Sequence, residues 1–206
     1  MLKKNLRKVI RVFRNKANRR KLRNHNFTLI SSNCNGAFIM NELGVKFNTP
    51  TVNLFFYPND FIKFLENFDE YLLINLEENL EKSMALQYPV GILNDIEVHF
   101  MHYDSFEIAK EKWEERCKRI DKKNIFIMST DRDGCTYDII KRFDKLKFDN
   151  KVIFTRKEYK EFESAFYIDG FENEKEVGLL FEFEGYLGKK YYDRFNFVNW
   201  FNNNKS

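Results

Sequence analysis

Ile125-Phe126-Ile127-Met128, then Ser129-Thr130-Asp131-Arg132-Asp133-Gly134, then an amphipathic stretch over residues 136–146 and a second apolar run over 152–155, decide how this chain should fold. An apolar run, a polar turn, a helical repeat and another apolar run make one parallel βα unit. The pattern recurs upstream. Residues 27–32 read as a strand and 36–43 as a short helix closed by Gly44. Residues 51–56 read as a strand and 60–73 as a helix, capped by Asp60, with Phe61, Phe64, Leu65, Phe68 and Leu72 on its apolar face. Residues 95–101 form a third strand. The helix after it, 105–120, is opened by Asp104 with Glu107 and carries Phe106, Ala109, Trp113, Cys117 and Ile120 at three- and four-residue spacing. The expected fold is α/β, a layered α/β/α arrangement with a mainly parallel sheet of about five strands. The C-terminal part is less regular, with strands at 165–168 and 177–183 and a terminal helix at 191–201. Residues 77–87 fit either a helix or a connection.

Composition narrows the class. Only 8 Gly and 3 Pro in 206 residues exclude collagen-like and Pro-rich architectures. No apolar run approaches the ~20 residues of a spanning helix. Three cysteines without a C-x-x-C pair argue against a disulfide framework, and no apolar segment of the secretory type follows the basic start. A cytoplasmic protein is expected.

Charge is unevenly placed. Residues 1–23 hold eleven Lys and Arg and no acid, leaving 24 basic against 31 acidic residues in the rest, net −7. The expected organisation is a basic amphipathic arm, 1–23, followed by a single α/β domain, 24–206, or by two small α/β halves. Leu2, Leu6, Val9, Ile10 and Phe13 recur in the arm at helical spacing, the pattern of a helix lying on an anionic membrane surface at the inner face. Such an arm should be disordered or loosely helical in water and fold on lipid. An acidic body makes a poor groove for a polyanion, so no nucleic acid is expected.

Loops leaving the carboxyl ends of parallel strands form the ligand crevice. One is Ser32-Asn33-Cys34-Asn35-Gly36, where backbone N–H groups at a helix start suit a phosphate or carboxylate and would lower the thiol pKa of Cys34 toward a nucleophile. Otherwise Asn and Ser cap the helix and Cys34 is a small buried filler. The second loop is His102-Tyr103-Asp104. His102 is the candidate general acid or base there, or else a hydrogen-bonded structural histidine, and His99 packs. On the following helix Arg116 and Arg119 could clamp an anion, or form a solvated face. In the third loop Asp131 and Asp133 form a D-x-D pair of the kind that holds Mn or Mg against a diphosphate, while turn and capping roles explain them equally.

Several separated motifs carry a resemblance: Ser32-Asn33-Cys34-x-Gly36, Thr49-Pro50-Thr51, Tyr88-Pro89-Val90-Gly91, His102-Tyr103 followed by Trp113, Arg116 and Arg119, Phe154-Thr155, and Trp200-Phe201-Asn202. In this order they are similar to the bacterial domain-of-unknown-function family 1919, whose members are often labelled exopolysaccharide biosynthesis protein. The resemblance implies a place in surface polysaccharide assembly and assigns no catalytic residue. Three functions are then expected in order: a metal-dependent transferase acting on a sugar nucleotide or lipid-linked sugar, a noncatalytic module binding glycan or a partner enzyme, and thiol acyl transfer through Cys34.

Overall fold

The computed structural model describes the backbone of residues 2–204 and the side chains of 6–204. A long helix α1 (Leu2–Lys21) leads into β1 (Thr28–Ser31) and α2 (Asn35–Leu43), which Gly44 closes in the left-handed conformation. Then come α3 (Pro58–Glu66), α4 (Phe68–Tyr71), β2 (Glu77–Glu78), α5 (Leu80–Leu86), β3 (Val90–Leu93), β4 (Ile96–His99) and α6 (Phe106–Cys117). The chain continues through β5 (Ile125–Thr130), α7 (Tyr137–Asp144), β6 (Lys151–Thr155) and β7 (Ala165–Tyr167). It ends with the hairpin of β8 (Phe183–Glu184) and β9 (Lys189–Lys190), a 3-10 turn (Tyr191–Arg194) and α8 (Phe197–Asn202).

The central sheet has the order β1-β5-β6-β7 and every pairing in it is parallel. Side chains alternate along each strand and so feed two cores. Ile30, Ile127 and Ile153 enter one, with α3, α4, α6 and α7; Leu29, Phe126, Met128, Val152 and Phe154 enter the other, with α2 and α8. The layered α/β/α expectation holds, with a four-stranded parallel sheet.

Two of the expected strands do not join it. Residues 95–101 supply β4, which pairs antiparallel with β3 around Asn94-Asp95, where Asn94 takes a φ of 56°. A two-residue turn with a left-handed Asn makes a hairpin, not a crossover. Residues 51–56 are not a strand: Phe55 makes an isolated bridge to His99 and the Phe56 N–H donates to the Ser32 carbonyl (2.9 Å), so the segment ties the small sheet β2-β3-β4 to the edge of β1. The 60–73 helix breaks at Asn67 into α3 and α4 and starts at Pro58, while Asp60 instead accepts the Glu97 N–H (3.2 Å). Residues 177–182 make no strand, and the 191–201 helix splits at Asn196, which caps α8 by accepting the Asn199 N–H at 3.0 Å.

The basic arm is folded and docked, contrary to the expectation of a loose segment. Arg7, Arg11, Arg14 and Asn18 recur every three or four residues and form the half-buried or buried face of α1, and Leu22, just past its end, continues the row. Arg11, only 6% exposed, pairs with Glu42 and Asp193 and reaches the Tyr192 hydroxyl (3.3 Å). Arg19 donates to the Glu42 (2.8 Å) and Asn41 (3.2 Å) carbonyls at the C-terminus of α2, where cations are favoured. Leu22 enters the second core. The hairpin also rests on α1: Gly188, at φ 64°, comes so close that a Cβ there would stand 2.7 Å from the Arg7 carbonyl oxygen. Glu42 and Asp193 therefore take up Arg11, and of the apolar stripe Leu6 (57%), Val9 (52%) and Phe13 (68%) are left exposed, while Ile10 is half-buried beside Gly188, contrary to the expectation that it faces lipid. Leu2, the first residue of the stripe, lies outside the described side chains.

Candidate functional site

The carboxyl ends of β1 and β5 lie side by side, and the first and third candidate loops meet there. The Ser129 hydroxyl donates to Ser32 Oγ (3.2 Å), and Asn33 Nδ2 donates to Thr130 Oγ1 (3.0 Å). Asn33 Oδ1 accepts both the Asn35 N–H (3.2 Å) and Asn35 Nδ2 (2.9 Å), which shapes the entry into α2. The other amide oxygen, Asn35 Oδ1, is buried without a hydrogen-bond partner. Gly36 permits this entry because a Cβ there would stand 2.6 Å from Ser31 Cβ. Asn33 thus makes an Asx turn at the entry into α2, while the N-cap position itself, Cys34, carries no side-chain cap hydrogen bond.

Residues 49–56 form the lid of this edge. Thr51 Oγ1 accepts the Ser31 N–H (2.9 Å) and shares a hydrogen bond with Thr49 Oγ1 (3.0 Å). The Tyr103 hydroxyl donates to the Val52 carbonyl (2.9 Å) and receives a hydrogen bond from Arg116 Nη1 (2.6 Å). Cys34 Sγ lies 3.8 Å from the Leu54 carbonyl. Thr49 and Thr51 were absent from the expected site residues; their signal was the Thr-Pro-Thr motif, whose Pro argues against a continuous strand.

The other candidates separate. His102 is exposed on the turn before Tyr103, so Tyr103 alone carries its loop into the edge. Arg119 pairs with Glu115 one helical turn back, so it does not join Arg116 in an anion clamp. The Cys34 thiol is half-buried and burial pushes its pKa up, opposite to the lowering expected at a helix start, with its own backbone N–H opposing only in part. Asp131 is buried, and its two oxygens accept the N–H groups of Val177 and Arg156, each at 2.8 Å. Burial raises the Asp131 carboxyl against the pull of these two donors, and it raises Asp133 against Arg132. Asp133 sits in the turn at φ 59°, whereas Asp131 ties the loop to the distant backbone of Arg156 and Val177, and among the described residues no three His, Cys, Asp or Glu side chains gather as a metal-ligand set.

His99 packs, as expected, stacked on Phe55 (4.6 Å between rings) with Nδ1 3.2 Å from the Tyr88 hydroxyl. Its Nε2 is buried with no hydrogen-bond partner, 3.8 Å from Glu97 Oε2, and burial holds its pKa below the ordinary value.

This geometry runs through the length over which the chain matches known sequences. The profile described as domain of unknown function DUF1919 matches residues 5–202, from α1 to the end of α8. The chain belongs to this family. The DUF1919 match takes in the docked arm, the carboxyl-edge loops and the C-terminal helix together. A protein of Haemophilus influenzae (strain ATCC 51907 / DSM 11121 / KW20 / Rd), named "Uncharacterized protein", is 53% identical over 193 residues, which is 93% of this chain and 92% of that one.

Proposed function

We propose that the protein is a binding module of surface-polysaccharide assembly that works on an anionic membrane surface. The observation that carries this reading is the outward face of α1. Leu6, Val9 and Phe13 stand exposed on it, and Lys16 and Arg20 continue the same face for two further turns, also exposed. A stripe that is apolar in one half and cationic in the other, on a helix already held by its opposite face, suits a helix lying in the headgroup region. Each basic residue near an anionic surface adds about 1 kcal/mol. Among the described residues no helix is long and apolar enough to cross a membrane.

The polysaccharide part rests on the family resemblance and on the polar character of the carboxyl edge, where the half-buried Asn33, Tyr103 and Arg116 offer amide, hydroxyl and guanidinium groups to a glycan while Ser32 and Thr130 are buried. Binding is favoured over metal-dependent transfer because the Asp131 carboxylate is already engaged by backbone N–H groups. The test is co-sedimentation with phosphatidylglycerol and phosphatidylcholine vesicles. The parent should bind the anionic vesicles, and the Val9→Asp/Phe13→Asp variant should lose that binding with an unchanged melting temperature, because both side chains are more than half exposed. Equal binding by parent and variant would contradict the reading.

A further inference from the structure

The cationic face of α1 does not pair completely. Arg11 is taken by Glu42 and Asp193, Lys190 by Glu42 (2.9 Å), and Arg194 by Glu184 (2.5 Å). Arg14, one turn on from Arg11, has no ion-pair partner among the described residues, and its Nε is buried without a hydrogen-bond acceptor. Desolvating a guanidinium N–H and leaving it unmet is costly, more so than for a neutral donor. Arg14 lines a cleft of about 590 Å³ between α1, the C-terminal half of α2 and α8, at the other end of α2 from the carboxyl-edge loops. Lys21, Asn15 and Asn18 line it from α1, and Asn196 and Asn199 from the chain facing them. No acceptor among the described residues takes the Lys21 ammonium or the Asn15 and Asn18 amides. The two acids in the wall, Glu42 and Asp193, are already balanced by Arg11 and Lys190 together.

We propose that this cleft is a binding site for a phosphate ester carrying a hydroxylated group, with Arg14 and Lys21 on the phosphate and Asn15, Asn18 and Asn196 on the hydroxyls. Two unpaired cations suit one phosphoryl group, and a guanidinium is the side chain best shaped to grip it. The volume lies in the range of small-molecule sites and exceeds what a bare phosphate fills. The ligand can be a soluble sugar phosphate or a lipid headgroup. The inference stands apart from the membrane reading, because it rests on the inward face of α1 and not on the outward stripe.

The experiment is calorimetric and thermal-shift titration of the full chain with glucose 1-phosphate, glucose and inorganic phosphate. Glucose 1-phosphate should bind and raise the melting temperature in a concentration-dependent way, inorganic phosphate should do so more weakly, and glucose should have no effect. Arg14→Gln should weaken glucose 1-phosphate binding at least tenfold while melting no lower than the ligand-free parent, since Arg14 holds no protein partner and its unmet N–H is removed. Lys21→Gln, at an exposed position, should weaken it too. The headgroup source is read from vesicles: if Arg14→Gln also reduces phosphatidylglycerol co-sedimentation, the cleft takes the lipid phosphate, and if only glucose 1-phosphate binding falls, it takes the soluble ester. Failure of glucose 1-phosphate to bind the parent, or equal binding by parent and both variants, overturns the inference. Loss of vesicle binding in Val9→Asp/Phe13→Asp leaves the cleft titration unaffected, so the two proposals fail separately.

Discussion

Arg11→Met should cost more stability than any other single change in α1. The guanidinium is 6% exposed and serves two carboxylates, those of Glu42 and Asp193, whose side chains are 15% and 9% exposed. Burial disfavours its charge, but Glu42, Tyr192 and Asp193 together outweigh that and raise its pKa, while Arg11, Lys190 and Tyr192 hold Glu42 below the usual carboxylate range against its own burial. Methionine keeps the length and the apolar stem and removes the charge. Glu42 would retain Lys190 (2.9 Å) and the Tyr192 hydroxyl (2.5 Å), whereas Asp193 would retain only the Lys190 N–H (2.8 Å) as a donor. Removing one partner of a buried pair costs about 3–5 kcal/mol, and the lower end applies here because Glu42 stays compensated. For a chain of this size about 3 kcal/mol lowers the melting temperature by roughly 6–12 °C. Thermal unfolding followed by circular dichroism at pH 7, with urea unfolding for the free energy, measures it. Adding Asp193→Asn to Arg11→Met should recover part of the loss, because a neutral amide needs no cation. A single variant within about 1 kcal/mol of the parent would show that the pair does not hold the arm, and α1 would then be the loosely attached segment that its composition suggests.

Three further outcomes follow from the sites described. Gly36→Ala should destabilise by about 1–3 kcal/mol in urea unfolding, because its Cβ would stand 2.6 Å from that of Ser31 at the crossing of α2 and β1. Asp131→Ala should also destabilise, by about 1–3 kcal/mol for each buried N–H it orphans, Arg156 and Val177 being the donors, and a melting temperature equal to the parent's would return Asp131 to the role of a free loop carboxylate. His99, held neutral by burial against Glu97, contributes stability that is complete above its ordinary value of 6.5 and is lost as pH falls from there toward its lower folded value. The difference in melting temperature between parent and His99→Phe should therefore move in the variant's favour between pH 7 and pH 5; a difference independent of pH would remove His99 from the titration.

The parallel layers were legible because their signals are local. Residues 125–155 show an apolar run, a polar turn and a helical repeat in sequence, and β5, α7 and β6 form there, with Thr136 capping α7 by accepting the Ile139 N–H. Residues 90–93 gave no strand signal, since Pro89 and Gly91 interrupt the run, yet they form β3 once the Asn94 turn folds β4 back on them. Residues 51–56 carry apolar side chains at strand density, but their polar groups are spent on Ser31, Ser32 and His99, contacts that depend on β1 and β4 being in place. The orientation of α1 was the least legible feature. Its composition reads as a loose arm whose apolar stripe faces lipid, and what docks it by the opposite face is a pair of acids, Glu42 and Asp193, that lie 31 and 182 residues from Arg11. At the site, polar loops could be read from strand ends, but which member of a loop reaches inward could not: Tyr103 does and His102 does not, because only Tyr103 finds a carbonyl, that of Val52, within reach of its hydroxyl.

The measurement that bears most directly on the outward face of α1 is the fluorescence of Phe13→Trp, taken as the difference from the parent, with phosphatidylglycerol vesicles made from ordinary and from brominated acyl chains. Phe13 is 68% exposed, so the new indole should emit as a hydrated one in buffer, shift to the blue on adding vesicles, and be quenched by the brominated chains. Difference emission that stays red and unquenched when the protein has sedimented with the vesicles would mean that another surface makes the contact, and the membrane role of α1 would fall.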